Sequence, residues 1–216
     1  AYEAGAVIGR ELTASGFNLN FAPVLDLNIN PDNPIIGRRA ISADPAKVAN
    51  LSRAVIRGLH DNAIIACGKH FPGHGDTTED SHLTLPKSNL TLDGIRENEL
   101  LPYRKLIQNP PHLDMVMPAH VMYPNIDPEC PATYSKTLLQ DILRLEIGFK
   151  GLIVTDDLEM KAITDTVGIE QATIMAFEAG VDLFLCCKEL DKQVQILETL
   201  LKHVEKSNYP HHMLER

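Results

Sequence analysis

KHFPGHGDTTEDSHLTLP, residues 69–86, decides how this chain is read. It holds three histidines, three acids and two glycines, with no repeating apolar face. A loop this long inside a compact domain is usually functional, or else simply a solvated polar loop. Gly73 and Gly75 permit backbone turns that other residues resist. Asp80 and His82 lie two apart, so in an extended turn both side chains can point the same way. A carboxylate beside an imidazole orients the ring and favours its protonated form. The pair then makes a proton donor able to work near neutral pH.

Around this loop, apolar strand-like runs alternate with helical patterns. Strands are expected at 18–26, 63–69, 113–117, 151–155 and 181–186. The first helical pattern opens the chain and ends at Gly16. The next starts at Asp44–Pro45, an N-cap with proline in the first turn, and runs to about Asn62. Others are expected over 91–107 with a possible kink at Pro102, over 135–147 ending at Gly148, over 169–179 ending at Gly180, and over 190–204. The strands lack polar alternation, as parallel strands covered on both faces do. Such alternation implies βαβ units. Two architectures fit: an open doubly wound sheet, and a (β/α)8 TIM barrel of which only about five units are present. The chain opens directly inside a helical pattern and lacks an initial Met, which favours the incomplete barrel.

Reactive side chains fall just after these strands. Asp26 ends the first, Lys69 and His70 follow the second, His120 follows the third, and Asp156 and Asp157 follow the fourth. In parallel α/β folds the C-terminal strand ends form the active face. Of the adjacent acids, Asp156 is expected to point into a pocket and Asp157 to brace the turn. Each residue also has a plainer reading. Asp156 would be a helix cap, Arg39 a surface ion pair, Lys69 a buried ion pair, and His120 a satisfied near-core histidine. Zinc ligation by His70, His74, Asp76 and His82 is a further alternative, although neither HExxH nor a paired-cysteine motif is present.

Composition narrows the classes. The 216 residues suffice for one substantial domain. A formal net charge of −9 without a long basic run argues against nucleic acid or an anionic membrane as partner. No apolar stretch is long enough to span a bilayer. The four cysteines, at 67, 130, 186 and 187, form no CxxC pair and read as reduced thiols of a cytoplasmic protein. GxGxxG, P-loop and GxSxG motifs are missing, which removes support for dinucleotide, P-loop and α/β-hydrolase chemistry.

Five motifs, FAPVLDLN at 21–28, IGRRAISADP at 36–45, KHFPGHGDTTEDSH at 69–82, VMPAHVMYPNID at 116–127 and VTDDLEM at 154–160, together resemble glycoside hydrolase family 3, in its β-N-acetylglucosaminidase branch. The resemblance spans nearly the whole chain. It implies a retaining exo-glycosidase on a TIM-type barrel, with 1–216 a partial catalytic barrel domain and a carbohydrate as partner. It implies Asp156 as nucleophile and Asp80 with His82 as an acid/base dyad. Arg39, Lys69 and His70 are implied to hold sugar hydroxyls, and His120 is grouped with them as substrate-binding. No cofactor and no metal are expected. A histidine acid adds no negative charge beside the nucleophile, which leaves room for phosphate to compete with water. The chain departs from the family pattern around Arg39, where Arg38 precedes and Ala40–Ile41 follow. The family's early strands and their Asp-Gln-Glu-Gly-Gly segment are also missing, so the chain is expected to be a fragment. The β-glucosidase or β-xylosidase branch, a metal-dependent barrel hydrolase and a non-catalytic sugar-binding relic remain the alternatives.

Overall fold

The computed structural model describes residues 1–207. Helix α1 (Tyr2–Ala14) leads into the short strand β1 (Leu19–Asn20), and α2 (Pro45–His60) into β2 (Ile65–Phe71). Helices α3 (Leu92–Glu97) and α4 (Leu100–Gln108) precede β3 (Met115–Pro118). A hairpin of β4 (Met122–Tyr123) and β5 (Asp127–Pro131) follows, then a π-type helix over Thr137–Glu146 and strand β6 (Leu152–Asp157). The short α5 (Lys161–Thr164), α6 (Ile169–Glu178), β7 (Leu183–Leu185) and α7 (Leu190–Ser207) complete the described residues.

The main sheet has the order β1-β2-β3-β6-β7, every pair parallel. Each strand therefore lies beside its sequence neighbour in the parallel series. A doubly wound sheet would reverse direction at a switch point. This one never does, which selects the barrel type. Among the described residues, five of the eight strands of such a barrel are present.

Both faces of the sheet are apolar, for different reasons. Ala66, Val116 and Ile153 turn outward and join the large core beneath the helices, with Ile56 and Leu59 of α2 and Leu139 and Leu143 of the π-type helix. Cys67, Met115, Met117 and Val154 turn inward and form a second, smaller cluster with Leu19, Phe21 and Leu185. Side chains alternate along a strand. Ile65, Lys69, Leu152, Asp156 and Leu183 thus share the inward face. At its lower rim Ile65, Leu152 and Leu183 are 38%, 42% and 44% exposed.

Local chemistry accounts for the start of α2 and the end of the π-type helix. Asp44 Oδ1 accepts the N–H groups of Ala46 and Lys47, with Pro45 in the first turn, as the sequence predicts. Gly148 closes the π-type helix at φ +85°, a conformation that side chains resist.

Other elements differ from expectation. The single helix expected over 91–107 is two helices that break at Asn98 and Glu99, not at Pro102. Pro102 sits in the first turn of α4, where its missing N–H costs nothing. The expected strand 18–26 keeps regular pairing over two residues only. Beyond them, Ala22 and Pro23 accept the N–H groups of Cys67 and Lys69, and Leu25 donates to Lys69, so the segment still runs beside β2 as far as Asp26. The hairpin of β4 and β5 was not expected, because Pro124, Pro128 and Pro131 argue against strand.

Candidate active site

The strand ends deliver their polar residues to one place. A cavity of about 210 Å³ at the C-terminal ends of the strands is lined by Ile35, Arg39, Lys69, His70, His74, Ser81, His82 and Asp156. Five of the seven site residues expected from the sequence are in this wall. Asp80 stands directly behind it, on His82, and His120 lies deeper.

Asp156 reaches the cavity from the end of β6. Burial alone would raise its proton affinity. Its surroundings win, and hold the carboxyl below the usual aspartate value: His120, His70, the Asp157 N–H (donating to Oδ1 at 2.8 Å) and Lys69. Burial pushes His120 itself toward the neutral form. At neutral pH the Lys69 ammonium and the Asp157 N–H therefore carry more of this effect than His120 does. Lys69 is held below the ordinary lysine value, first by burial, and the Asp156 charge opposes that shift. Asp157 turns away from the cavity, as expected, and its Oδ1 accepts the N–H groups of Glu159 and Cys187. Glu159 in turn accepts the N–H groups of Lys188 and Glu189, which fastens the turn after β6 to the turn after β7.

Across the cavity His82 pairs with Asp80. Asp80 Oδ1 accepts both the backbone N–H of His82 and its ring Nδ1–H, each at 2.8 Å. Desolvation opposes ionisation of Asp80, but these two donors outweigh it and hold the carboxyl below its ordinary value. An ionised carboxylate can only accept, so the ring proton sits on Nδ1 and Nε2 is left for the cavity. The His82 side chain is 56% exposed, open to an incoming ligand.

The loop 69–86 is fixed at its base and open at its tip. His74 is buried. Its Nδ1–H donates to Thr77 Oγ1 at 2.7 Å, and its Nε2 meets Ser81 Oγ at 3.2 Å. Burial lowers its proton affinity to about 4, so the ring is neutral and Nε2 accepts from Ser81. Asn33 donates to the carbonyls of His74 and Thr77 and accepts the N–H groups of Ile35 and Ile36. That stitches the segment bearing Arg39 to the histidine loop. Gly75 lies so close to this segment that a Cβ would come within 1.7 Å of the Leu27 carbonyl oxygen. Arg39 ends a short 3-10 turn (Gly37–Arg39) and donates to the Ile35 carbonyl at 3.1 Å, which leaves the rest of its guanidinium facing the cavity.

His120 is not placed in the wall. It is 1% exposed, its Nε2–H donates to the Asp157 carbonyl at 3.1 Å, and its Nδ1 meets Thr133 Oγ1 at 2.5 Å. Both ring nitrogens are engaged, so the structure gives it the near-core position behind Asp156. The four donors considered for zinc do not converge either. His74 is held by Thr77 and Ser81, and Asp76 by Ser88. Among the described residues no group of three or more His, Cys, Asp or Glu side chains is arranged to hold a metal. Three contributors had no catalytic or sugar-binding role in the sequence reading: Asp26, named only as a strand end, His74, weighed only as a zinc ligand, and Ser81. Asp26 had a signal, since it ends a buried strand segment. A larger cleft of about 520 Å³ between α6 and α7, lined by residues such as Gly168, Gln195 and Lys202, receives no strand end.

A parallel half-barrel that gathers a carboxylate, a histidine–aspartate dyad and cationic side chains around its strand ends has the architecture of a TIM-type barrel with its polar site on the C-terminal face. The chain belongs to glycosyl hydrolase family 3: the N terminal domain of that family matches residues 1–215. A curated relative, the beta-hexosaminidase of Idiomarina loihiensis, is 42% identical over 205 residues, covering 95% of this chain and 60% of its own length. The solved family 3 beta-N-acetylglucosaminidase from Paenibacillus sp. str. FPU-7 superposes with a TM-score of 0.94 at 41% identity, over 99% of this chain and 40% of that one. NagZ from Neisseria gonorrhoeae, solved with N-trifluoroacetyl-D-glucosamine, superposes with a TM-score of 0.82 at 40% identity, over 91% of this chain and 55% of that one. The chain thus spans roughly half the length of the relatives it matches.

Proposed function

We propose that the protein to which this chain belongs is a retaining exo-β-N-acetylglucosaminidase, and that residues 1–216 are the part of its catalytic barrel domain that carries the reacting groups. The observation that carries the reading is that ionised Asp156 and His82, itself held through Nδ1 by Asp80, line one and the same cavity. The relatives' names support a hexosaminidase, and the N-acylated glucosamine bound by the Neisseria protein supports an N-acetylated sugar.

Asp156 attacks the anomeric carbon, and the glycosidic C–O bond breaks as the glycosyl–Asp156 ester forms. In its imidazolium form, with Nδ1–H still on Asp80, His82 gives its Nε2 proton to the departing oxygen and is left neutral. It then takes one from water, which attacks the ester and frees the sugar and Asp156. Most retaining glycosidases use two carboxylates about 5 Å apart. Here a histidine stands for one of them. Lys69, His70 and Arg39 line the remaining wall as donors for sugar hydroxyls, and His120 backs Asp156 from below. No cofactor enters this scheme.

The four cysteines are free thiols, and among the described residues no helix is long and apolar enough to cross a membrane. The free thiols support a cytoplasmic setting, the net charge of −9 without a long basic run speaks against nucleic acid as partner, and action on cell-wall saccharides is proposed together with the hexosaminidase reading.

The test is Asp156→Asn in the full-length polypeptide, assayed on an aryl β-N-acetylglucosaminide. Turnover is expected to fall by at least about 10³-fold, as when an essential nucleophile is removed. Wild-type turnover in that variant sinks the assignment.

A further inference from the structure

Asp26 lies at the end of the β1 segment with its side chain entirely buried. Its Oδ2 receives His70 Nδ1 at 2.7 Å, and its Oδ1 receives the His74 N–H at 2.7 Å. The backbone N–H of His70 faces both carboxylate oxygens at 3.3 Å. Burial opposes the charge on Asp26, but these donors prevail and keep it below the usual aspartate value. Asp26 is then an acceptor on both oxygens, and the His70 proton on this side must sit on Nδ1.

The other edge of the same ring faces the reaction. His70 Nε2 is 3.9 Å from Asp156 Oδ2. That is too long for a hydrogen bond, and leaves room for a substrate hydroxyl to touch both. The His70 ring is buried and its plane is fixed by the Asp26 contact. The site therefore contains two carboxylate–histidine pairs, Asp80–His82 with an open histidine and Asp26–His70 buried, whose histidines both line the cavity that Asp156 enters.

We infer that Asp26 is a positioning residue for glycoside cleavage: by holding the Nδ1 proton of His70 it fixes the ring so that Nε2 meets the sugar beside Asp156. This rests on the proposed function, but it assigns Asp26 a part that the reaction scheme does not require.

The experiment uses the full-length polypeptide and has two arms. In the first, ¹⁵N–¹H correlation spectra of the histidine rings, with His70 assigned through His70→Asn, report which nitrogen carries the proton. In the wild type, Nδ1 of His70 is expected to be protonated. A neutral ring with bare Nδ1 overturns the inference without need of any variant.

The second arm is Asp26→Asn. The new amide has one acceptor and one donor edge. The His74 N–H cannot become an acceptor, whereas His70 can change tautomer. The amide carbonyl is therefore expected to stay with His74 and the NH₂ to face His70, so the ring proton leaves Nδ1. The value of kcat/KM per folded molecule is expected to fall by about 10–100-fold, by analogy with loss of the carboxylate that orients a metal-bound histidine. Unchanged kcat/KM in a folded variant whose His70 has switched tautomer overturns the inference. The proposed function would then still stand on Asp156→Asn, so the two readings fail separately. If Asp26→Asn does not fold, the wild-type spectrum decides.

Discussion

His82 and Glu99 show how the same backbone handles a group meant to exchange protons and one that is not. His82 is open to solvent on one edge and bound to Asp80 on the other. If it protonates the departing oxygen, its worth depends on how badly that oxygen needs a proton. His82→Ala is expected to cost about 10²–10⁴-fold on alkyl glycosides, the usual span of general acid catalysis, and far less on aryl glycosides with acidic leaving groups. Steady-state kinetics on a leaving-group series reads this directly, and equal losses across the series would remove His82 from the acid role. Glu99 is buried against Gly73 at the base of the histidine loop, with Oε2 unpartnered. Burial, with a smaller push from Asp76, raises its proton affinity to about 7 from an ordinary 4.5. A carboxyl whose folded-state value is raised keeps its proton in the native state and loses it first in the unfolded one. Stability is therefore unimpaired below the ordinary value and falls as pH rises from about 4.5 to about 7. Each unit of displacement is worth about 1.4 kcal/mol, so the loss across the whole window is on the order of 3–4 kcal/mol. Glu99→Gln is expected to flatten that fall. Urea unfolding of both proteins at about pH 5 and about pH 8 measures it, and a Glu99→Gln profile parallel to wild type refutes the argument.

At the level of elements, what could be read from the sequence follows from where chemistry is local. The Asp44–Pro45 start of α2 and the Gly148 stop are local, and both stand where expected. The strand ends at Lys69 and Asp156 were legible because apolar runs stop abruptly at polar residues, and both side chains reach the cavity. The break between α3 and α4 is not legible from Pro102, because the cost of a proline depends on its place in the turn, and in the first turn of α4 it is small. The hairpin of β4 and β5 was missed because its prolines lie in a short two-stranded ribbon where few ladder bonds are required of them. Asp26 was visible as a strand end, but its partner His70 is 44 residues away, and pairing across that separation is a property of the register between β1 and β2. His120 had the opposite fate. It follows a strand as the others do, yet Thr133, brought over it by the turn after the hairpin, takes up one ring nitrogen.

Strand order decides the whole molecule, and it also exposes what the five strands cannot do alone. The sheet curls without closing, so β1 and β7 each have one unpaired edge among the described residues. The inward face that carries Lys69 and Asp156 at its top carries Ile65, Leu152 and Leu183, all partly exposed, at its bottom. On the outside, Leu190, Val194, Leu197 and Leu201 recur along one side of α7 at 71%, 47%, 59% and 54% exposure. Spacings of four, three and four residues place them on one helical stripe. Apolar stripes and unpaired strand edges of this kind drive association in water. Residues 1–216 expressed alone are therefore expected to self-associate, bind a hydrophobic dye and lack turnover, while the full-length polypeptide does none of the first two and turns over substrate. Sedimentation velocity and dye fluorescence on the two proteins side by side make the comparison. A 1–216 polypeptide that sediments as a monomer and leaves the dye dark would mean that these faces close on each other, and that the half-barrel is a complete folding unit.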